Sequence, residues 1–357
     1  MGGAGTAEEQ IRQKVRRLQN PDGTHPSLEL CSPPYSDMEP ESHPWVQASD
    51  MIHVHWTAGL IDWTRFSTRV GRPTVVTLHD QEPYLGCIHY EGELTSNPSI
   101  EPIEQSCRKV RRAAWARLKP VVVGNSEWNT RKARNSEMFP SSTVYQTVYY
   151  PLDTEIFSAG NKSHAREVLG IPSEQIVIGF GADQIDNPRK GMDVLVSALA
   201  HLPLGVSAKC SLLSFGRKPT ASLAQGLQIS IRHLGEITSL QKQAHIYQAI
   251  DIMVVPSREE AFGQTAAESL ACETPVVASN SGGLPETVRD GATGLLFESG
   301  DVSSLIHSLQ TMIEDASLRK RLGKQGRNLV HHRHSPSTAA EAYQRIYQTH
   351  PNLQPHF

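Results

Sequence analysis

Residues 251–286 read DIMVVPSREEAFGQTAAESLACETPVVASNSGGLPE, and the order of elements in this stretch decides the fold. The apolar run 252–255 predicts a buried strand, which Pro256-Ser257 stops. A polar loop, 258–263, ends at Gly263, and a helical pattern then fills 264–272. A second short apolar run, 275–278, predicts the next strand. Strand, helix and strand joined by short loops are the unit of a parallel sheet.

The same rhythm continues upstream. Runs at 176–180 and 211–215 predict strands, and 192–202 and 240–250 predict helices, the first with Leu195, Ala198, Leu199 and Leu202 on one side. The first half carries strand-like runs at 51–56, 74–79, 121–125 and 143–150. Several lack in–out alternation, as in strands covered on both faces. Asp153 and Pro151 break the pattern near 151–157. The expected organisation is two α/β, doubly wound domains, 1–152 and 153–335. Polar-faced helices over about 303–313, 318–331 and 336–347 close the chain, and the segment from about 336 to 357 packs back on the first domain. The chain of 357 residues supports two cores rather than one.

Composition narrows the class. Hydrophobic residues are 38 % and charged residues 20 %, with a net charge of −3, which gives no case for a nucleic-acid partner. No apolar run reaches the roughly 18 residues of a membrane span, and no basic-then-apolar leader opens the chain. Five scattered cysteines fit a reducing compartment. The expectation is a cytoplasmic protein. The basic stretch 108–119 (RKVRRAAWARLK) reads as a solvated helix face with Val110, Ala113, Ala114 and Leu118 as its buried stripe. Peripheral contact with anionic lipid at the inner face of the membrane is the alternative.

Chemistry concentrates where the strand 252–255 ends. Ligands of open α/β sheets bind at strand C-termini, and a helix starting near Gln264 or Thr265 points free N–H groups at that edge, an anion site. Glu260 lies in the loop and Glu268 one turn into the helix. A carboxylate pair beside a diphosphate repels it, so the sensible role is to accept hydrogen bonds from sugar hydroxyls. Equally, acids at a helix start are common. A second element, GFGADQIDNPRKG at 179–191, ends a strand at Gly181 and sets Arg189-Lys190 before a helix. Two adjacent cations there can neutralise a leaving diphosphate; a surface turn is the plain alternative.

Together these motifs resemble the donor signature of the large retaining GT-B glycosyltransferase family (glycosyl transferases group 1, family 4 type). Glu260 and Glu268 match its glutamate pair with seven intervening residues. Pro256-Ser257, Phe262-Gly263, Pro275-Val276-Val277, Gly282-Gly283 and Gly291-Ala292-Thr293-Gly294 follow in order. The resemblance implies two Rossmann-like domains facing across a cleft. Glu260 would hold the donor sugar, Glu268 the ribose, and Arg189 and Lys190 the diphosphate, with Ala261, Phe262, Gly263, Gln264, Thr265 and Gly181 around the donor. Glu273 departs from the family's small residue, and its side chain is expected to face solvent.

In the first half, His79 closes the run 74–79 and precedes Asp80. The resemblance places such a histidine beside the donor sugar, whereas His55 reads as structural. Gly2, Gly3 and Gly5 would face the acceptor, although no residues precede them to form the family's first strand. Cys87, His89 and Cys107 offer too few ligands for a closed zinc site. No metal and no cofactor are expected; the nucleoside-diphosphate sugar is the donor substrate. The implied activity is hexosyl transfer with retention to a glycan or lipid-linked acceptor, as in bacterial exopolysaccharide and colanic-acid assembly. The rivals are a catalytically impaired nucleotide-sugar-binding homologue, a GT-B epimerase and a scaffold.

Overall fold

The computed structural model describes residues 28–217, 227 and 229–349, together with Glu9 and Gln13. The chain divides into one unit of Met1–Val148 with Glu341–Phe357 and a second of Tyr149–Ala340. Gly2, Gly3 and Gly5 lie outside the described residues.

In the first unit, β1 (Ile52–Val54), β2 (Thr74–Leu78), β3 (Val121–Gly124) and β4 (Tyr145–Thr147) form a parallel sheet in that order. Helices α1 (Trp63–Arg69), α2 (Glu101–Leu118) and α3 (Glu127–Asn135) lie between the strands in sequence. Every residue of β2 and β3 is buried, which is why neither run alternates. The run expected over 143–150 makes only the three-residue edge strand β4. Ser126 caps α3 by accepting the Asn129 N–H at 3.0 Å.

The second unit holds α4 (Lys162–Leu169), β5 (Ile176–Gln184), α5 (Met192–Ala200), β6 (Cys210–Arg217), β7 (Ser230–His233), α6 (Leu240–Ala249) and β8 (Ile252–Val255). It continues with α7 (Gln264–Ala271), β9 (Val276–Ser279), β10 (Gly294–Phe297), α8 (Val302–Glu314) and α9 (Ala316–Arg333). The sheet is parallel throughout, in the order β10-β9-β8-β5-β6-β7. Alternate residues of its strands enter two separate cores. Val177, Leu213, Met253 and Val276 join one, while Ile178, Leu212, Ile252 and Val277 join the other. A strand of this kind must be apolar on both sides. The chain leaves β5 towards β6 and β7, then returns to β8 on the opposite side of β5. That reversal opens a crevice at the C-terminal ends of β5 and β8.

The final helix α10 (Pro336–Thr349) begins in the second unit and ends in the first. There the Tyr347 hydroxyl lies 2.6 Å from His53 Nδ1, and the Tyr343 hydroxyl lies 3.0 Å from Thr77 Oγ1.

One expectation, about the buried face of α2, is corrected. The buried stripe of α2 is Glu104, Cys107, Arg111, Ala114 and Trp115, not one built on Val110, Ala113 and Leu118. Arg111 lies inside because its Nε donates to the Gly86 carbonyl at 2.7 Å, its Nη2 to the Ser32 carbonyl at 3.0 Å, and the same nitrogen pairs with Glu82. Glu104 also satisfies backbone N–H groups, Cys87 at 2.7 Å and Ile88 at 3.3 Å. A buried charge survives when its partners are supplied in this way. Glu273 has a left-handed backbone (φ 60°), and its carboxylate is 37 % exposed, with Arg327 Nε 3.9 Å away.

That left-handed turn is held by α9. A Cβ on Gly323 would stand 2.0 Å from the Glu273 carbonyl oxygen. Gly323→Ala should therefore destabilise the protein by about 1–3 kcal/mol, read as a Tm several degrees lower in calorimetry; an unchanged Tm would show that α9 is not packed this closely.

Candidate functional site

β5 runs into Asn187-Pro188-Arg189-Lys190-Gly191. The Asn187 side chain accepts the Arg189 N–H at 3.0 Å, and Gly191 (φ 73°) turns the chain into α5. A Cβ there would lie 2.0 Å from the Pro256 carbonyl oxygen, so glycine is what lets this turn meet the loop after β8. The two loops are then joined by Arg258 N–H to Arg189 O at 2.7 Å and by Arg189 Nη1 to Glu259 O at 3.0 Å. Arg258 grips Asp193 of α5 through two bonds of 2.8 and 2.6 Å, which holds the Asp193 carboxyl below its usual range.

Within this frame Lys190 Nζ donates to Glu260 Oε2 at 2.7 Å. Arg189 Nη1 stands 3.7 Å from the same oxygen, and Ser257 Oγ donates to it at 3.3 Å. The backbone of Glu260 is fixed too. Gly283 N–H donates to its carbonyl at 2.9 Å, and a Cβ on Gly282 would lie 1.9 Å from that oxygen. The structure thus brings Arg189, Lys190 and Glu260 into one cluster at the crevice.

α7 begins directly after Gly263 (φ 95°), and no side chain caps it. The Ala266 and Ala267 N–H groups donate to the Gly263 carbonyl at 3.0 and 3.2 Å, which leaves those of Gln264 and Thr265 pointing outward, and the helix dipole adds a partial positive charge, so this end suits an anion. Ala261 and Phe262 are buried; Phe262 packs edge-on against Tyr150 at 5.1 Å. Only their backbones can face a ligand. Gln264 is exposed.

Glu268 faces elsewhere. Its Oε2 accepts from the Tyr247 hydroxyl at 2.7 Å and from Gln243 Nε2 at 2.8 Å, both on α6. Burial pushes its pKa up to about 7, against the opposing pull of the Tyr247 bond. Gln243 also lines a cavity of about 190 Å³, together with Gly181, Phe215, Gly216, Ile237 and Thr265. A side chain at Gly181 would strike the Phe215 ring at 2.2 Å, so glycine keeps that wall in place. Gly181 and Thr265 of the cavity wall were named from the sequence; Gln243, Tyr247, the role of Ser257, and Phe215, Gly216 and Ile237 of the wall were not. The i,i+4 spacing of Gln243 and Tyr247 was visible, but their facing Glu268 depends on how α6 packs against α7.

In the first unit His79 pairs with His55, Nε2 to Nδ1 at 3.0 Å. Burial, then the neighbouring His55, lowers the His79 pKa to about 4, leaving the ring neutral at physiological pH. Cys87, His89 and Cys107 do not form a cluster of donors. His89 bonds Ser32 Oγ at 2.9 Å and Asp80 Oδ2 at 2.7 Å, and the two thiols are buried. Among the described residues no group of three His, Cys, Asp or Glu side chains is arranged to hold a metal ion. No described helix is long and apolar enough to cross a membrane.

Residues 161–329 match the family model described as glycosyl transferases group 1. That match covers most of the second unit. A D-inositol 3-phosphate glycosyltransferase from Thermobifida fusca is 30 % identical over 298 residues, 79 % of this chain and 65 % of that protein. The chain spans about three fifths of the length of the curated relatives it matches. Those relatives take their name from an inositol phosphate, not from the exopolysaccharide precursors that the sequence resemblance implied. Anabaena HepE in complex with UDP-glucose superposes with a TM-score of 0.70 at 21 % identity, covering 85 % of this chain and 81 % of that one. Sucrose-phosphate synthase from Thermosynechococcus elongatus gives 0.69 at 24 % identity, over 84 % and 73 %. The fold is GT-B, with sheets of four and six parallel strands.

A ligand hydroxyl that donates to Glu268 is held more strongly by the carboxylate than by the neutral acid. Should the ribose of a nucleotide donate to Glu268, its affinity will rise as pH increases through about 7. Titration of UDP by calorimetry from about pH 6 to about pH 8 reads this directly. Glu268→Gln should flatten the profile and weaken binding about tenfold; a flat wild-type profile would separate Glu268 from the nucleotide.

Proposed function

We propose that this chain is a retaining, metal-independent hexosyltransferase whose donor is a nucleoside-diphosphate sugar. One observation carries the reading: Lys190 and Arg189 converge on Glu260 at the C-terminal edge of β5 and β8, beside the uncapped start of α7. In the donor complex the diphosphate takes the place of the carboxylate as the partner of both cations. Glu260 then accepts from hydroxyls of the transferred hexose, and Glu268 accepts from the ribose. The nucleoside enters the cavity lined by Gly181 and Thr265.

As the glycosidic bond breaks, negative charge gathers on the leaving diphosphate. Lys190, Arg189 and the first-turn N–H groups of α7 stabilise it, which assigns to the protein the role a metal ion plays in other transferases. The acceptor hydroxyl attacks from the face the diphosphate is leaving and passes its proton to a departing phosphate oxygen, so configuration is retained. The donor reading draws support from HepE, whose structure holds UDP-glucose. The acceptor we assign is a glycan or lipid-linked glycan of surface or exported polysaccharide. The relatives named for D-inositol 3-phosphate favour a second reading, in which the acceptor is a phosphorylated polyol.

Purified protein incubated with UDP-, GDP- and ADP-sugars should release nucleoside diphosphate in the presence of EDTA. Glu260→Ala should lower turnover at least about a hundredfold with a smaller loss of nucleotide binding, while Glu268→Ala should chiefly weaken the nucleotide. Binding of all donors without turnover would leave a nucleotide-sugar-binding protein in place of the enzyme.

A further inference from the structure

A second cavity, of about 620 Å³, lies wholly within the first unit, between α2, the end of α3 and the edge strand β4. Its size is that of a small-molecule site, roughly 300–1,000 Å³. Arg112 of α2 and Arg134 of α3 stand on its walls, both exposed. Arg112 makes no hydrogen bond or ion pair among the described residues. Arg134 is held over the Tyr145 ring, 5.2 Å from its centroid, with no carboxylate within ion-pairing distance among the described residues. Around them Lys109, Arg117, Lys119 and Arg131 are exposed and likewise lack ion pairs among the described residues. In a chain whose net charge is −3, this is a concentrated positive field.

The cavity is more than a basic surface. Met138 and Phe139 form an apolar floor; both are buried, and Phe139 is stacked on Trp115 at 5.3 Å. Glu137, in a left-handed turn (φ 56°), adds one carboxylate to the lining. Two guanidinium groups suit a phosphate, a carboxylate suits hydroxyl donors, and an apolar floor suits the C–H face of a ring.

We propose that this cavity binds a sugar phosphate, its phosphate on Arg112 and Arg134 and its hydroxyls on Glu137. The site is separate from the crevice of the second unit and does not depend on the donor assignment.

The test is calorimetric titration of the full chain with glucose 6-phosphate, inorganic phosphate and glucose, alongside sedimentation with phosphatidylglycerol vesicles. Glucose 6-phosphate should bind saturably and more tightly than inorganic phosphate, and glucose should not bind. The double variant Arg112→Ala/Arg134→Ala should lose at least about tenfold in affinity, with its circular dichroism and UDP binding unchanged. Glu137→Gln should weaken glucose 6-phosphate while leaving inorganic phosphate as tight or tighter. Equal binding by wild type and double variant overturns the proposal, as does glucose 6-phosphate binding no better than phosphate. If the double variant loses only vesicle binding, the face is a membrane-adsorbing surface and the proposal fails.

Discussion

The contact between Lys190 and Glu260 requires two loops from different strands to pass within touching distance. Backbone, not side chains, makes that passage available. Gly191 meets the Pro256 carbonyl and Gly282 meets the Glu260 carbonyl at separations that any Cβ would occupy. Once the loops are this close, Arg258, bonded to Asp193 and to the turn after β5, fixes their relative position. The ammonium and carboxylate are only 22 % and 12 % exposed, so neither is left without a counter-charge at small cost. An anionic ligand that reaches Lys190 supplies the counter-charge and releases Glu260 for hydroxyls. The same pair thus holds the two loops together and, in the proposed reaction, divides into its two working halves.

Burial has opposite consequences for the two titrating groups of interest. Removing water raises the Glu268 pKa to about 7 and lowers that of His79 to about 4, because in each case the charged form loses hydration. His79 is thereby a neutral hydrogen-bonding ring, while Glu268 stands near the point where its acceptor capacity changes. The loop that follows His79 is anchored from beneath by Asp80–His89–Ser32, Arg111–Glu82 and the Glu104 carboxylate on backbone N–H groups. Arg111 Nη1 is the one nitrogen of this guanidinium left without a partner among the described residues; the other bonds of the layer tie the loop to α2 and to Ser32.

Much of this was legible in the sequence. Strands buried on both faces announced themselves as unbroken apolar runs, so β2, β3, β8 and β9 fall within a residue or so of where the pattern put them. Gly263 and the glutamates around it marked the loop and the start of α7. The two edge strands of the second sheet were not legible: β7, Ser-Ile-Arg-His, alternates exposure because only one side meets a core, and β10 begins at a glycine after a turn. The face of α2 was misread because its buried stripe includes a glutamate and an arginine, which local pattern assigns to solvent. Their partners lie at Ser32, Glu82 and 86–88, far away in sequence. For the same reason Tyr247 and Gln243, which orient Glu268, became visible only once α6 and α7 were packed.

The most direct measurement is a crystal structure of the protein soaked with UDP-glucose. The account predicts the diphosphate on Lys190, Arg189 and the start of α7, with the Lys190–Glu260 bond broken and the ribose on Glu268. A nucleotide bound elsewhere, or bound here with Lys190 still joined to Glu260, would contradict it.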